Sequence, residues 1–221
     1  MGGYEEIWQH FRQAGELEFG GHTDPAWRHG HTTSASFVVR VDANALCDRL
    51  KPVRELLQCF PFVSMHPDDL MHITLLMLGF PVSSPRSGDE ISHEKLRELE
   101  DRARSALSGA SPFIVRLSNL NAFPSAVFVE THSGGRLERL QELLSTECGM
   151  KRPLGPPHLT LAYFHAPEGS PVPESLVDAI GGFRDWYVGE VWVDHVELTL
   201  LDLRSARPEL RSAGRVPLAA R

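Results

Sequence analysis

Two short stretches of the sequence place a threonine two residues after a histidine. His72 and Thr74 lie in the stretch HITL, and His158 and Thr160 lie in the stretch HLTL. Both stretches are apolar and contain β-branched residues, which predicts strands. Because side chains alternate between the two faces of a strand, each histidine shares a face with its threonine. The apolar residues beside them would face the core.

This pattern fits acid–base chemistry at phosphorus. An imidazole has an ordinary pKa of about 6.5, so one of two opposed histidines can be a base and the other an acid near neutral pH. The base would take a proton from the nucleophile, the acid would protonate the leaving oxygen, and the threonine hydroxyls would donate to the non-bridging oxygens. This chemistry requires no metal and no cofactor. A single His-x-Thr is more often structural, so it is the recurrence of the pattern that favours a site.

The order of the predicted elements puts the two motifs in corresponding positions. Strands are predicted over residues 36–42, 71–80, 158–164 and 191–203, with two more within 113–130. Helices are predicted over residues 4–14, 92–107, 136–148 and 173–180, and over 43–58 with a break or kink at Pro52. Strand, helix, motif strand and helix thus occur twice. This order predicts two similar lobes whose motifs face a common cleft.

Composition limits the classes of function. The chain of 221 residues has 22 Lys and Arg against 29 Asp and Glu, a formal charge of −7. Such a chain is poorly suited to coating long nucleic acids, whereas a small substrate with one phosphate is compatible with it. The three cysteines lack CxxC spacing, which indicates reduced thiols. No apolar run has the length of a membrane span and the charged N-terminus is not typical of a signal peptide, so we expect a monomeric, soluble, cytoplasmic protein with no membrane partner.

The two motifs and their surroundings resemble those of the 2H phosphoesterase superfamily, which contains the bacterial 2′-5′ RNA ligases (LigT-like proteins). HITL and HLTL match its two HxTx signatures. A strand–helix unit precedes the first motif, a Phe123-Pro124 turn lies between the motifs, and a proline directly precedes His158. With the closing strand, the resemblance covers roughly residues 33–204.

The resemblance implies an α+β, bilobal fold in which two antiparallel sheets flank a central cleft and helices lie on the outside. Residues 33–204 would form one domain of two pseudo-symmetric lobes. Residues 1–32 would be an N-terminal extension with a short helix and a Gly/His-rich loop, and residues 205–221 a loosely held tail.

The resemblance also implies a metal-independent phosphodiesterase that acts on 2′,3′-cyclic phosphates or on 2′-5′-linked nucleotides and RNA ends. His72 would be the general acid and His158 the general base, although these two roles could be reversed. Thr74 and Thr160 would contact the phosphate. Two other functions stay open: a non-catalytic module of the same fold that binds a nucleotide or RNA end, and a 2′-5′ RNA ligase.

The chain departs from the family pattern directly after the second motif. Many LigT-like members have an arginine there, whereas this chain has Ala162-Tyr163-Phe164. The phosphate charge would then be met by other basic residues. The candidates are Arg40, Lys151 and Arg152. Phe80 and Phe164 share the predicted strand face of the histidines, where either could stack on a nucleobase or pack in the core.

Most of the eleven histidines are expected to play no part in the reaction. His29 and His31 lie in a Gly-rich loop near His22, but no cysteine or paired carboxylate stands at ligand spacing beside them, so no metal site is predicted. The histidines expected to be solvated at turns or element ends are His66, His93, His132 and His165.

Overall fold

The computed structural model describes residues 3–22, 24–204 and 208–219. Within these residues the chain forms ten strands and six α-helices. The strands are β1 (Thr33–Arg40), β2 (Val63–Met65), β3 (His72–Val82), β4 (Glu90–Ser92), β5 (Phe113–Phe123), β6 (Ala126–His132), β7 (His158–Phe164), β8 (Tyr187–Val193), β9 (His195–Asp202) and β10 (Leu210–Pro217). The helices are α1 (Tyr4–Gln13), α2 (Pro25–Arg28), α3 (Cys47–Leu57), α4 (His93–Leu107), α5 (Arg136–Cys148) and α6 (Glu174–Gly181).

The strands form a sheet that is antiparallel apart from the short β4. Its order is β10-β9-β1-β3-β7-β6-β5-β8, while β2 pairs with β7 and β4 with β3. The motif strands β3 and β7 therefore lie side by side, each as the inner strand of a four-stranded half. Within the described residues, β3 and β7 are paired at a single position, where Ile73 lies opposite Leu159. The predicted α+β fold with two lobes is confirmed, and its two sheets meet at this junction.

The helices α4 and α5 form where apolar residues recur at helical spacing. In α4, the buried stripe is Leu96, Leu99, Ala103 and Leu107. The hydroxyl of Ser92 caps this helix by accepting from the Lys95 backbone N–H at 3.1 Å. The helix α5 ends at Gly149, whose φ of +64° suits glycine. These two helices pack against each other, and α5 lies on the apolar side of β3, opposite the motif face.

One predicted strand is two strands that lie in different halves of the sheet. The prediction over residues 191–203 is wrong because the chain bends at Asp194, between β8 and β9. The first of these pairs with β5 and the second with β1. Apolar residues continue on both sides of the bend, but their alternation changes phase there, from Val191 and Val193 to Val196 and Leu198.

Two further predictions are corrected by the packing. Pro52 lies inside α3 rather than at a break, and the irregular turn is the 3₁₀ segment Ala43–Leu46 before that helix. The tail expected to be loosely held contains β10, which pairs with β9 and buries Leu210 and Val216. Residues 205–207 and 220–221 of that predicted tail lie outside the described residues.

The residues before β1 pack onto both halves of the sheet. The helix α1 buries Trp8 and Phe11, and the ring of Phe11 stacks on Phe164 of β7 at 6.3 Å between centroids. The following residues then cross between the halves, as described below. None of the helices in the described ranges is long and apolar enough to cross a membrane.

Candidate active site

The junction between β3 and β7 brings the two motifs onto one face of the sheet. Ile73 and Leu159 face each other in antiparallel register and are fully buried. The residues on either side of this pair therefore point to the opposite face, where His72, Thr74, His158 and Thr160 are half-buried. In this register His72 and His158 are diagonal neighbours across the two strands. The Cβ atoms of such diagonal neighbours are on the order of 7–8 Å apart. That spacing leaves room for a phosphate between the imidazoles.

Each histidine is held in the same way by the backbone before it. Nδ1 of His72 lies 2.5 Å from the carbonyl oxygen of Leu70, and Nδ1 of His158 lies 3.0 Å from that of Pro156. A carbonyl oxygen can only accept, so Nδ1 carries the proton in both rings. In the neutral imidazole, Nε2 then has a free lone pair. Nε2 is thus the nitrogen of each ring that can accept a proton.

Burial keeps both imidazoles neutral in the free protein. The pKa of His72 is lowered to about 4, mainly by burial; the hydrogen bond to Leu70 raises it, and the nearby charge of Arg40 lowers it. Burial also lowers the pKa of His158, against the opposing effect of its hydrogen bond to Pro156. A proton donor therefore arises at this site only when a negative group, such as a phosphodiester, stabilises an imidazolium.

A β-bulge follows each motif and changes which side chains face the cleft. Phe37 pairs with Leu76 and Val38 with Thr74, so Leu75 is the extra residue in β3. Val127 pairs with Ala162 and Phe128 with Thr160, so Leu161 is the extra residue in β7. Each bulge reverses the alternation of faces three residues after a histidine. As a result Met77 and Tyr163, which simple alternation assigns to the apolar face, line the cleft.

The two aromatic side chains expected either to stack on a base or to pack in the core are both covered. Phe164 follows the bulge on the core side and has no exposed surface, so of its two expected roles it takes core packing. Phe80 is buried, because the ring of His31 stacks on it and the ring of Trp27 meets it edge-on. The ring centroids are 4.3 Å and 5.4 Å away, respectively. Neither ring is open to a nucleobase in this structure.

The three predicted phosphate-binding cations have different positions. Arg40 lies directly opposite His72 in the strand register, on the same face of the sheet. It donates to the Asp69 carbonyl at 3.3 Å and pairs with Glu197 at 4.0 Å. Lys151 and Arg152 lie in the segment between α5 and β7 and do not line the cleft beside His72. Of the three, Arg40 is the one that the strand register places opposite a motif residue.

His66 is a part of the site that the sequence does not reveal. It was expected to be solvated, but only 3% of its surface is exposed. Its Nε2 donates to the Leu70 carbonyl at 3.2 Å, the same oxygen that holds His72, and the two rings are 5.9 Å apart. Burial lowers the pKa of His66 to about 3, with His72 and His22 adding to the effect. No spacing rule points to it, because it follows the short strand β2, which only the fold places against Tyr163.

A cavity of about 380 Å³ lies on the His72 side of the junction. It is lined by His72 and Thr74 of β3, by Tyr163 of β7 and by the chain segment before β1. His158 and Thr160 do not line it; the ring of His158 packs beside Phe123 and Phe128 at 5.1 and 4.9 Å. A phosphodiester between the two histidines would therefore have one of its substituents in this cavity.

The loop histidines take part in packing. His29 pairs with Asp89 at 3.2 Å, and His31 lies 3.7 Å from Glu90 while stacking on Phe80. Across residues 3–22, 24–204 and 208–219, no group of three or more His, Cys, Asp or Glu side chains is arranged to hold a metal ion.

Comparison with known proteins identifies the family. The profile of the 2′-5′ RNA ligase superfamily matches residues 43–204. The fold is similar to that of TT0787 of Thermus thermophilus, with a TM-score of 0.62 and 20% identity over 84% of this chain and 97% of that one. It is also similar to that of E. coli LigT complexed with 3′-AMP, with a TM-score of 0.60 and 19% identity over 86% of this chain and 99% of that one. Among curated proteins, none matches the chain significantly. The profile match over most of the chain and the shared fold show that the protein belongs to the 2′-5′ RNA ligase superfamily, the LigT-like 2H phosphoesterases.

Proposed function

We propose that the protein is a metal-independent phosphodiesterase that hydrolyses 2′,3′-cyclic phosphates or 2′-5′-linked nucleotides and RNA ends. The observation that carries this proposal is the pairing of Ile73 with Leu159, which sets two His-Thr pairs on one face of the sheet. E. coli LigT, which has a similar fold, has been crystallised with 3′-AMP and with phosphate. These ligands support a small nucleotide or a short RNA end as the substrate.

The reaction follows from the free Nε2 atoms. One neutral imidazole takes a proton from water, and the water oxygen forms a bond to phosphorus. The bond from phosphorus to the ribose oxygen breaks, and the other imidazole, as an imidazolium, gives its proton to that oxygen. The hydroxyls of Thr74 and Thr160 donate to the non-bridging oxygens as charge builds on them. Proton and charge balance without any further reactant.

The surroundings of the two histidines favour His72 as the base and His158 as the acid. Arg40 lies opposite His72, and its charge disfavours a second positive charge there. Among the described contacts of His158, the ring neighbours are the apolar Phe123 and Phe128. This assignment reverses the one implied by the family resemblance, which left both orders open.

The proposal is tested by hydrolysis of adenosine and uridine 2′,3′-cyclic phosphate in excess EDTA. We expect His72→Ala and His158→Ala each to lower kcat/KM by about 10²–10⁴-fold. His93→Ala is the matched control, because His93 is exposed at the start of α4. If both site variants hydrolyse these substrates like the wild type, the two-histidine mechanism is wrong.

A second candidate function is nucleotide binding without turnover. It is favoured by the lowered pKa of both histidines, since the free site then lacks the proton donor that the reaction needs. Tight binding of 3′-AMP together with the absence of product after long incubation would support this function. Ligation to form a 2′-5′ bond uses the same groups in reverse and is tested by incubating a 2′,3′-cyclic end with a 5′-hydroxyl end.

A further inference from the structure

The cavity beside His72 is built largely by residues that lie outside the family profile. We name residues 15–22 and 24–31 the N-terminal strap; the profile match begins only at residue 43. The strap contributes residues 18–22, Asp24 and Trp27 to the cavity wall. The shape of this part of the site therefore depends on a segment that the family profile does not contain.

The N-terminal strap is fixed to both halves of the sheet. On one side, the backbone N–H groups of Glu18 and Gly20 donate to the carbonyls of Pro124 and Phe164 at 2.8 and 2.9 Å. On the other side, the Arg28 guanidinium donates to the Leu203 carbonyl at 3.1 Å. A Cβ atom at Gly20 would stand 2.2 Å from the Ser125 carbonyl oxygen, so the contact with the second half requires glycine. The strap is thus a fixed wall of the cavity.

The charges that line the cavity are negative. Glu18 and Asp24 contribute carboxylates, and no lysine or arginine is found among the described lining residues. The lining histidines His22, His66 and His72 all have a lowered pKa because they are buried, so they bring no positive charge at neutral pH. Anionic groups are therefore disfavoured beyond the phosphodiester position, whereas hydroxyl and amino groups find acceptors.

The cavity also offers aromatic surface. Trp27 is 38% exposed while its ring contacts Phe80, and Phe19 is 44% exposed while its ring stacks on His165 at 4.6 Å. Both side chains line the cavity. Partly exposed rings that are fixed from behind are suited to stacking on a nucleobase. Trp27 and Phe19 therefore offer the stacking surface that Phe80 and Phe164, which are buried, do not.

We propose that the N-terminal strap forms a nucleoside subsite, which holds the uncharged base and sugar of a singly charged phosphodiester on Trp27 and disfavours a further phosphate through Glu18 and Asp24. This inference rests on the proposed function for the position of the phosphodiester. It names the substrate class as nucleoside 2′,3′-cyclic phosphates with a free 5′-hydroxyl, in preference to RNA ends and nucleotides that carry a second phosphate.

Calorimetric binding tests the subsite without turnover. We expect adenosine 3′,5′-bisphosphate to bind the wild type about tenfold more weakly than adenosine 3′-monophosphate. The double variant Glu18→Gln with Asp24→Asn should reduce this difference to less than about threefold, and asparagine can still cap α2 as Asp24 does. Glu16→Gln is the matched control, since it removes one charge from the same strap at a position that does not line the cavity. Equal binding of the two ligands by the wild type would overturn the charge argument.

The aromatic part of the subsite has its own variants. Trp27→Ala should weaken binding of adenosine 3′-monophosphate about tenfold and leave the binding of inorganic phosphate unchanged, whereas Trp27→Phe should restore most of the affinity. Unchanged affinity for the nucleotide in Trp27→Ala would exclude stacking there. Hydrolysis of adenosine 2′,3′-cyclic phosphate with and without a 5′-phosphate separates the two proposals. Turnover without preference contradicts the subsite alone, and selective binding without turnover contradicts the proposed hydrolysis alone.

Discussion

Ile73 lies opposite Leu159 at the junction of the two halves of the sheet, and this pair relates His72 to His158. Each half brings one histidine, one threonine and one bulge to the same face, so the site has the approximate two-fold symmetry of the fold. The symmetry is broken by the surroundings. His72 borders a cavity with Arg40 and His66 nearby, whereas His158 packs beside two phenylalanines.

This asymmetry predicts different responses to an activated leaving group. Nitrophenolate leaves as a stable anion, so the hydrolysis of bis(4-nitrophenyl) phosphate does not require a general acid but still requires a base. We expect His158→Ala to lose much less activity on this ester than on adenosine 2′,3′-cyclic phosphate, and His72→Ala to lose about the same on both. The relative kcat/KM values of the two variants on the two substrates measure this. The opposite result would assign the acid to His72.

The threonine hydroxyls are expected to act on the transition state. Thr74→Val and Thr160→Val remove one donor each with little change in shape, and we expect kcat to fall by about 10²-fold or more. Thr74→Ser and Thr160→Ser keep the hydroxyl and should retain most of the activity. Initial rates at saturating substrate provide the measurement. Valine variants as active as the serine variants would exclude phosphate contact by these residues.

The buried histidines predict that acid destabilises the fold. The unfolded chain takes up protons near pH 6.5, whereas burial holds His72 neutral down to a pKa of about 4 and His66 down to about 3. The free energy of unfolding should therefore be level above about pH 7 and fall as the pH drops below 6.5, by up to about 1.4 kcal/mol per pH unit for each such histidine.

Urea denaturation of wild type and His66→Gln between pH 7 and pH 4.5 measures this effect. In His66→Gln the free energy of unfolding should fall less steeply with decreasing pH, because one buried histidine no longer takes up a proton on unfolding. His93→Gln, a change at an exposed position, should leave the pH dependence as in the wild type. Identical pH dependence in the wild type and His66→Gln would show that His66 does not titrate as its burial requires.

Tyr4 is expected to support the second motif from the N-terminal helix. Its hydroxyl donates to the Pro157 carbonyl at 2.6 Å and accepts from the Thr131 backbone N–H at 3.0 Å, directly before His158. Tyr4→Phe should lower the free energy of unfolding by about 1–2 kcal/mol and also reduce kcat/KM. Tyr187→Phe is the control, because Tyr187 is 42% exposed on β8. If the two variants behave alike in urea denaturation and hydrolysis, α1 does not position the second motif.

The two-residue period of a strand is sufficient to predict where the motif side chains lie. Because His72, Thr74, His158 and Thr160 precede the bulges, simple alternation assigns each pair to one face correctly. The prediction fails directly after Leu75 and Leu161, because an extra residue in a strand reverses the faces after it. For this reason Met77, Tyr163 and Phe164 lie on the face opposite to the one that simple alternation predicts. In β3 a second register shift follows at Leu78. A bulge is decided by pairing with the neighbouring strand, which a pattern within one strand does not contain.

Long-range pairing also explains what else the sequence did not predict. The break at Asp194 separates two apolar strands that pair in different halves of the sheet. The buried position of His66 depends on the pairing of β2 with β7. The position of the N-terminal strap depends on backbone hydrogen bonds to residues that are distant in sequence, such as the bond from Gly20 to Phe164. The positions of His66 and of the N-terminal strap leave no periodic signal in the local sequence.

A crystal structure of the protein with adenosine 3′-monophosphate bound near pH 6 tests the two-histidine site most directly. We expect the phosphate to lie between the two motifs, with its oxygens about 3 Å from Nε2 of both His72 and His158 and within hydrogen-bond reach of the Thr74 and Thr160 hydroxyls. A phosphate that contacts only one of the histidines, or imidazoles too far apart to share it, would rule out a shared two-histidine site.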